Sequence, residues 1–148
     1  MLIATLQEIF KRDLLKLITE IESYKDETYL WAVDRSVTNS AGNLCLHLIG
    51  NLNYFIGAEF GKTGYVRDRP LEFSDKDVPR EILIQKINDT ISVVENSLSK
   101  ITDDQLQQEY PIIVFTEKMS NEYFLIHLAT HLSYHLGQIN YHRRLLDS

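Results

Sequence analysis

A chain of 148 residues is long enough to bury one substantial core and short enough for a single domain. Hydrophobic residues at 44% and charged residues at 24% exclude disorder over the whole length. The net charge of −6 excludes the broad basic face of a nucleic-acid surface, and no apolar run reaches the roughly 18 residues of a membrane span.

The first predicted helix runs from Leu2 to about Tyr24. Leu2, Leu6, Ile9, Phe10, Leu14, Leu17, Ile18 and Ile21 recur at spacings of three and four, the stripe of an amphipathic helix. Met1 to Phe10 carries Glu8 and lacks the basic-then-apolar layout of a signal peptide, so the expected location is the cytoplasm. A connection containing Trp31 follows. Thr38-Asn39-Ser40 then offers N-cap chemistry for a second helix, from about Ser40 to Phe60, which Gly61 and Gly64 stop. Its Cys45 is the single cysteine of the chain. That excludes an intrachain disulfide and a zinc site built on thiolates, and Cys45 is read as packing rather than as a nucleophile.

Gly61 to Asp77 reads as a loop. Within it, Tyr65-Val66-Arg67-Asp68-Arg69-Pro70 has two readings: a cover that turns Arg67 or Arg69 toward an anionic group, or a solvated charge run. Asp77 is expected to cap a third helix, with Pro79 in its first turn and Ile82, Leu83, Ile87, Ile91, Val94 and Leu98 carrying it to about Lys100. Thr102-Asp103-Asp104-Gln105 has the capping-box pattern of a short helical turn. Pro111 to Phe115 is expected to be extended. Ser120 caps a fourth helix that runs to about Leu146, with Met119 and Phe124 placed to staple it. Arg143 and Arg144 complement its dipole. Four long helices joined by connections of about 15 to 20 residues predict one all-α bundle.

Four of the five histidines fall on the fourth helix. His131 and His135 are four apart, so both project from one face and can reach one metal ion. The third ligand must come from elsewhere, and His47 is the only histidine outside that helix. It lies mid-helix among Leu44, Leu46, Leu48 and Ile49, with Asn43 and Asn51 one turn to either side. A lone histidine on an apolar helix is more often a satisfied core residue, and that reading stands beside the metal one. His127 lies about 80° round the helix from His135 and is read as an outer or structural residue of the site. His142, near the chain end beside Arg143 and Arg144, is expected at the surface. Asn43, Asn51, Tyr54, Tyr134 and Gln138 share the candidate faces and are candidate pocket or outer residues. A hydrogen-bond acceptor for the imidazole N–H groups should exist, but no residue stands out for it.

The segment His127-Leu128-Ala129-Thr130-His131-Leu132-Ser133-Tyr134-His135-Leu136-Gly137-Gln138-Ile139 resembles the last-helix signature of the DinB/YfiT-like superfamily of proposed metalloenzymes. There a His-x-x-x-His pair is followed closely by Gly-Gln-Ile. The resemblance extends to His47 in Leu46-His47-Leu48-Ile49-Gly50 and to the order of elements along most of the chain. It implies one DinB-like domain over residues 1–148, a four-helix bundle in up-down-down-up order. It also implies His47, His131 and His135 on one divalent ion, commonly zinc or nickel, and frequent homodimers. Relatives of known activity include transferases and isomerases that use a low-molecular-weight thiol. One departure is Leu136, where many relatives carry arginine and its polar contact.

Three functions fit these observations. The first is a metal-dependent enzyme, a hydrolase or a thiol-dependent S-transferase, acting on a small molecule through an open metal position. The second is a non-catalytic, stress-related metal-binding bundle. The third is a plain helical dimer with core histidines.

Overall fold

The apolar stripes become helices over most of the chain. The structure, a computed structural model, describes residues 1–148 and contains no strand. Its helices are α1 (Leu2–Ser23), α2 (Ala41–Leu52), α3 (Arg69–Ser74), α4 (Arg80–Leu98), α5 (Asp103–Leu106) and α6 (Asn121–Leu146). A 3-10 turn, Glu27–Trp31, follows α1. The axis of α2 continues through a π turn at Asn53–Ala58 and a last α turn at Glu59–Gly61. Lys62, at φ 53°, takes the left-handed position that ends it. In the π turn, Asn53 Nδ2 donates to the Ile49 carbonyl at 2.8 Å and to Thr90 Oγ1 at 2.9 Å, tying α2 to α4.

The predicted stripe of α1 is the buried one: Leu6, Phe10, Leu14, Leu17 and Ile21. Each such side chain contributes about 1.5–3 kcal/mol when fully buried. In α2 every residue except Leu46 is buried, which makes it the innermost helix. Ser40 caps it by accepting from Asn43 N at 3.2 Å. Ser120 caps α6 by accepting from Tyr123 N at 3.1 Å, and Met119 and Phe124 both join the core. The capping box at Thr102 and Gln105 is present in both directions.

α1 and α2 each pack against both α4 and α6, and α3 lies on α2. Arg80, at the start of α4, donates to the Glu22 and Tyr24 carbonyls at the end of α1. Asn140 and Arg143 of α6 reach Glu20 of α1. Lys100, just past α4, donates to the Gly61 carbonyl. No helix is long and apolar enough to cross a membrane.

Four expectations need correction. Asp77 does not cap the third long helix: it sits at φ 56°, and α4 opens at Arg80 behind Pro79, without a side-chain cap. The stretch Gly61 to Asp77 is not all loop, because Asp68 accepts from Leu71 N and starts α3 with proline in its first turn. Pro111 to Phe115 is not one extended run, because the backbone bends at Pro111 and Ile112 and again at Phe115. The only pairing there is an isolated bridge between Glu109 and Ser120, and Tyr110 anchors the segment by donating its hydroxyl to the Phe55 carbonyl at 2.7 Å. His142 is buried, at 4% exposure. The segment after α1 folds back over the end of α6, so His142 Nε2 donates to the Ala32 carbonyl at 2.8 Å while Nδ1 accepts from Tyr24 Oη at 2.7 Å.

Candidate metal centre

The middle of α2 faces the middle of α6, and three imidazoles meet there. His47 is buried, at 6% exposure, while His131 and His135 are half-buried. His47 Nε2 lies 3.3 Å from His131 Nε2, and His131 Nε2 lies 3.1 Å from His135 Nε2. The rings stand nearly edge-on to one another, at 74°, 90° and 86°. One nitrogen from each ring falls within 4.8 Å of the other two, so the group could hold a metal ion. Ligand atoms at about 2.0–2.1 Å from a tetrahedral ion stand about 3.3–3.4 Å apart, close to the two spacings seen.

The outer ring nitrogens fix the tautomers. His47 Nδ1 donates to Glu72 Oε1 at 3.0 Å, and His135 Nδ1 donates to Gln138 Oε1 at 2.7 Å. Both rings therefore turn Nε2 inward, where it offers a lone pair when the ring is neutral. A single hydrogen on His131 Nε2 can serve only one of those two lone pairs, whereas a cation would serve all three. The electrostatics agree. Burial, with His135 and His47 beside it, pushes the His131 pKa down to about 3. Burial also lowers His135, against the opposing Gln138 hydrogen bond. Both rings are thus neutral at pH 7, as metal ligands must be. His131 Nδ1 and Asn51 Oδ1 are buried without hydrogen-bond partners.

Glu72 reaches His47 because three features seat it. Arg67 grips it as a fork, Nε to Oε2 at 2.9 Å and Nη2 to Oε1 at 3.0 Å. Asn43 Nδ2 donates to the carbonyls of Glu72 and Asp75 at 2.9 and 2.8 Å, fastening α3 to α2. Lys76 in turn donates to Asn43 Oδ1. Gly50 leaves the space: a Cβ there would lie 1.9 Å from Glu72 Oε2. Burial pushes the Glu72 carboxyl up, but the hydrogen bonds from His47 and Arg67 outweigh it and hold it below the usual range.

The other candidate residues divide. Asn43 holds α3 and does not touch the three imidazoles. Asn51 and His127 line an open cleft of about 350 Å³ that borders His47 and His131. His127 also stacks on Phe124 and meets Phe115 edge-on. Tyr54 is apart from the site, its ring packed on Phe55. Tyr134 is largely exposed, but its hydroxyl accepts from Gln138 Nε2 at 3.3 Å and so steadies the partner of His135. The acceptor for His47, Glu72, was not evident from the sequence. Its one local mark was Gly50 inside an apolar helix, a sign of close approach. Arg67 takes the first of the two readings of its segment, facing the anionic Glu72. Cys45 is fully buried away from the group, and burial pushes its thiol up to about 12.

A family model described as a protein of unknown function (DUF1572) matches residues 2–148. No curated protein matches the chain.

Proposed function

We propose, from the premise that this chain belongs to the DUF1572 family, that it is a metal-dependent enzyme whose His47, His131 and His135 hold one divalent ion, zinc or nickel. The observation that carries this reading is the convergence of three Nε2 atoms while acceptors occupy Nδ1 on two of the rings. When bound, such an ion supplies Lewis-acid polarisation and acidifies a bound water or thiol.

The chain's own residues do the rest. Imidazole ligands add no charge to offset the ion. Glu72 and Gln138 hold the Nδ1 protons and so aim the lone pairs inward. No cysteine or carboxylate completes the group of three, and the cleft beside it is open, which favours a catalytic site over a closed, non-catalytic one. Two reactions suit this arrangement, hydrolysis and transfer to or from a thiol.

We read the fold as a DinB-like bundle in up-down-down-up order. The end-to-end contacts support it: α1 runs opposite to α4 and alongside α6, and the end of α2 meets the end of α4. We also read the chain as a homodimer. Among the large apolar side chains of α1, only Leu15 is exposed, whereas α6 exposes Tyr123, Ile126, Tyr134, Tyr141 and Leu145.

The test is metal content by mass spectrometry on protein purified without a metal-affinity tag, beside His131→Ala. Near one equivalent of zinc or nickel per chain, lost in the variant, is expected. Less than about a tenth of an equivalent, unchanged by added metal, would overturn the proposal. Sedimentation equilibrium on the same sample tests the dimer, and a monomer at all concentrations would exclude it.

A further inference from the structure

The cleft beside the histidines has a charge of its own. Two arginines, Arg67 and Arg69, line it, and no carboxylate does. Arg67 is already committed to Glu72 through Nε and Nη2. Arg69 is different. It opens α3, it is exposed, and its guanidinium lies 5.4 Å from the Phe73 ring. None of the ion pairs of the chain involves it. An uncompensated cation at a cleft mouth, in a chain of net charge −6, is a local reversal of sign. Behind it the walls are aromatic. Phe55, Phe115 and Phe124 line the same cleft, and the Arg67 guanidinium lies 5.5 Å from the Phe55 ring. Deeper in, Asn51 is 6% exposed, with Oδ1 unpartnered. A buried polar atom without a partner beside a cleft marks a place where a ligand makes a hydrogen bond.

We infer that this cleft binds a small organic anion. Its carboxylate or phosphoryl end sits on Arg69 at the mouth, its apolar or aromatic body lies against the phenylalanines, and a polar group near its inner end meets Asn51. The inference deepens the metalloenzyme reading by naming the substrate class, and it rests on that reading only for what happens at the inner end. A volume of about 350 Å³ is at the small end for ligand clefts and suits a compact molecule.

The test uses the full chain, zinc-loaded and chelator-stripped, titrated calorimetrically with 3-phenylpropionate and with its neutral isostere 3-phenylpropanamide. The anion is expected to bind at least about tenfold more tightly than the amide in both forms of the protein. Arg69→Gln, an exposed substitution that leaves the histidines and Glu72 in place, is expected to remove most of that preference while zinc content stays the same. Equal binding of anion and amide, no binding of either, or a preference that survives in Arg69→Gln would overturn the inference. A preference seen only with zinc would overturn it too, since the anion would then be a metal ligand, and the metal reading would stand. A chain that takes no zinc yet keeps the preference would end the metal reading and leave this inference intact.

Discussion

Glu72 stays ionised while almost fully buried because its two oxygens take one N–H from His47 and two from Arg67. Glu72→Gln keeps the shape and one acceptor but gives up the charge that orients the imidazole. Metal affinity is expected to fall on the order of 10–100-fold, measured by competition with a chelator. Glu72→Ala leaves Arg67 without its partner and is expected to cost about 3 kcal/mol in urea unfolding. Gly50→Ala touches no histidine, yet it should weaken metal binding as Glu72→Gln does, because its Cβ needs the space of Glu72 Oε2. Wild-type affinity in both Glu72→Gln and Gly50→Ala would detach Glu72 from the site. The histidines were legible in the sequence: His131 and His135 follow helical spacing, and His47 was the only one left to join them. Glu72 was not, since it meets His47 across 25 residues and a loop, where no local period links the two. His142 misled for a similar reason. Nearness to the chain end suggests exposure, and the residues that cover it, Tyr24 and Ala32, lie more than a hundred positions away.

At the scale of elements, the six-residue α3 matters more to the site than its length suggests. It brings Glu72 to α2, and Asn43 fastens it there through two backbone carbonyls. Asn43→Ala leaves those carbonyls without their donor, a loss of about 1–3 kcal/mol confined to this region. Hydrogen exchange at residues 68–75 is therefore expected to speed up at least about tenfold, with the middles of α4 and α6 unchanged. Uniform acceleration through all helices would mean that Asn43 supports the whole fold instead. Of the four long helices, α1 and α4 were legible because each carries a buried stripe over several turns, and α2 and α6 because Ser40 and Ser120 mark their starts. α3 is too short for a period to show, though Asp68 followed by Pro70 is a helix start that can be read. The start of α4 shows the limit of such signals. Asp77 before Pro79 satisfies the capping rule by residue type, but a backbone at φ 56° cannot place it as a cap.

For the molecule as a whole, the histidines that suit a metal make the metal-free chain sensitive to acid. His131 titrates near 6.5 when unfolded and near 3 when folded. Between those values the unfolded chain binds the extra proton, so stability falls as pH drops through that window. His135 shifts in the same direction. Glu72 adds to the loss at the acid end, because its carboxyl, held low by His47 and Arg67, must be protonated. Urea midpoints of the chelator-treated protein, taken in steps of pH, are expected to be level above about 6.5 and to decline below it. His131→Asn should make the decline shallower. A midpoint level down to pH 4 would show that the imidazoles are not held neutral by their surroundings.

His47 and His131 are 84 positions apart in the chain. An ion shared between them would close a loop of that length, as a disulfide does in chains that have two cysteines to spare, and this one has only Cys45. By the chain-entropy relation for cross-links, closing such a loop removes on the order of 4–5 kcal/mol of freedom from the unfolded ensemble. The tie is conditional, forming and opening with metal supply and pH. Residues 1–46, α1 among them, lie outside the closed loop, so such an ion would constrain the later part of the chain and leave the first helix to its packing and to its own bonds with Arg80, Asn140 and Arg143.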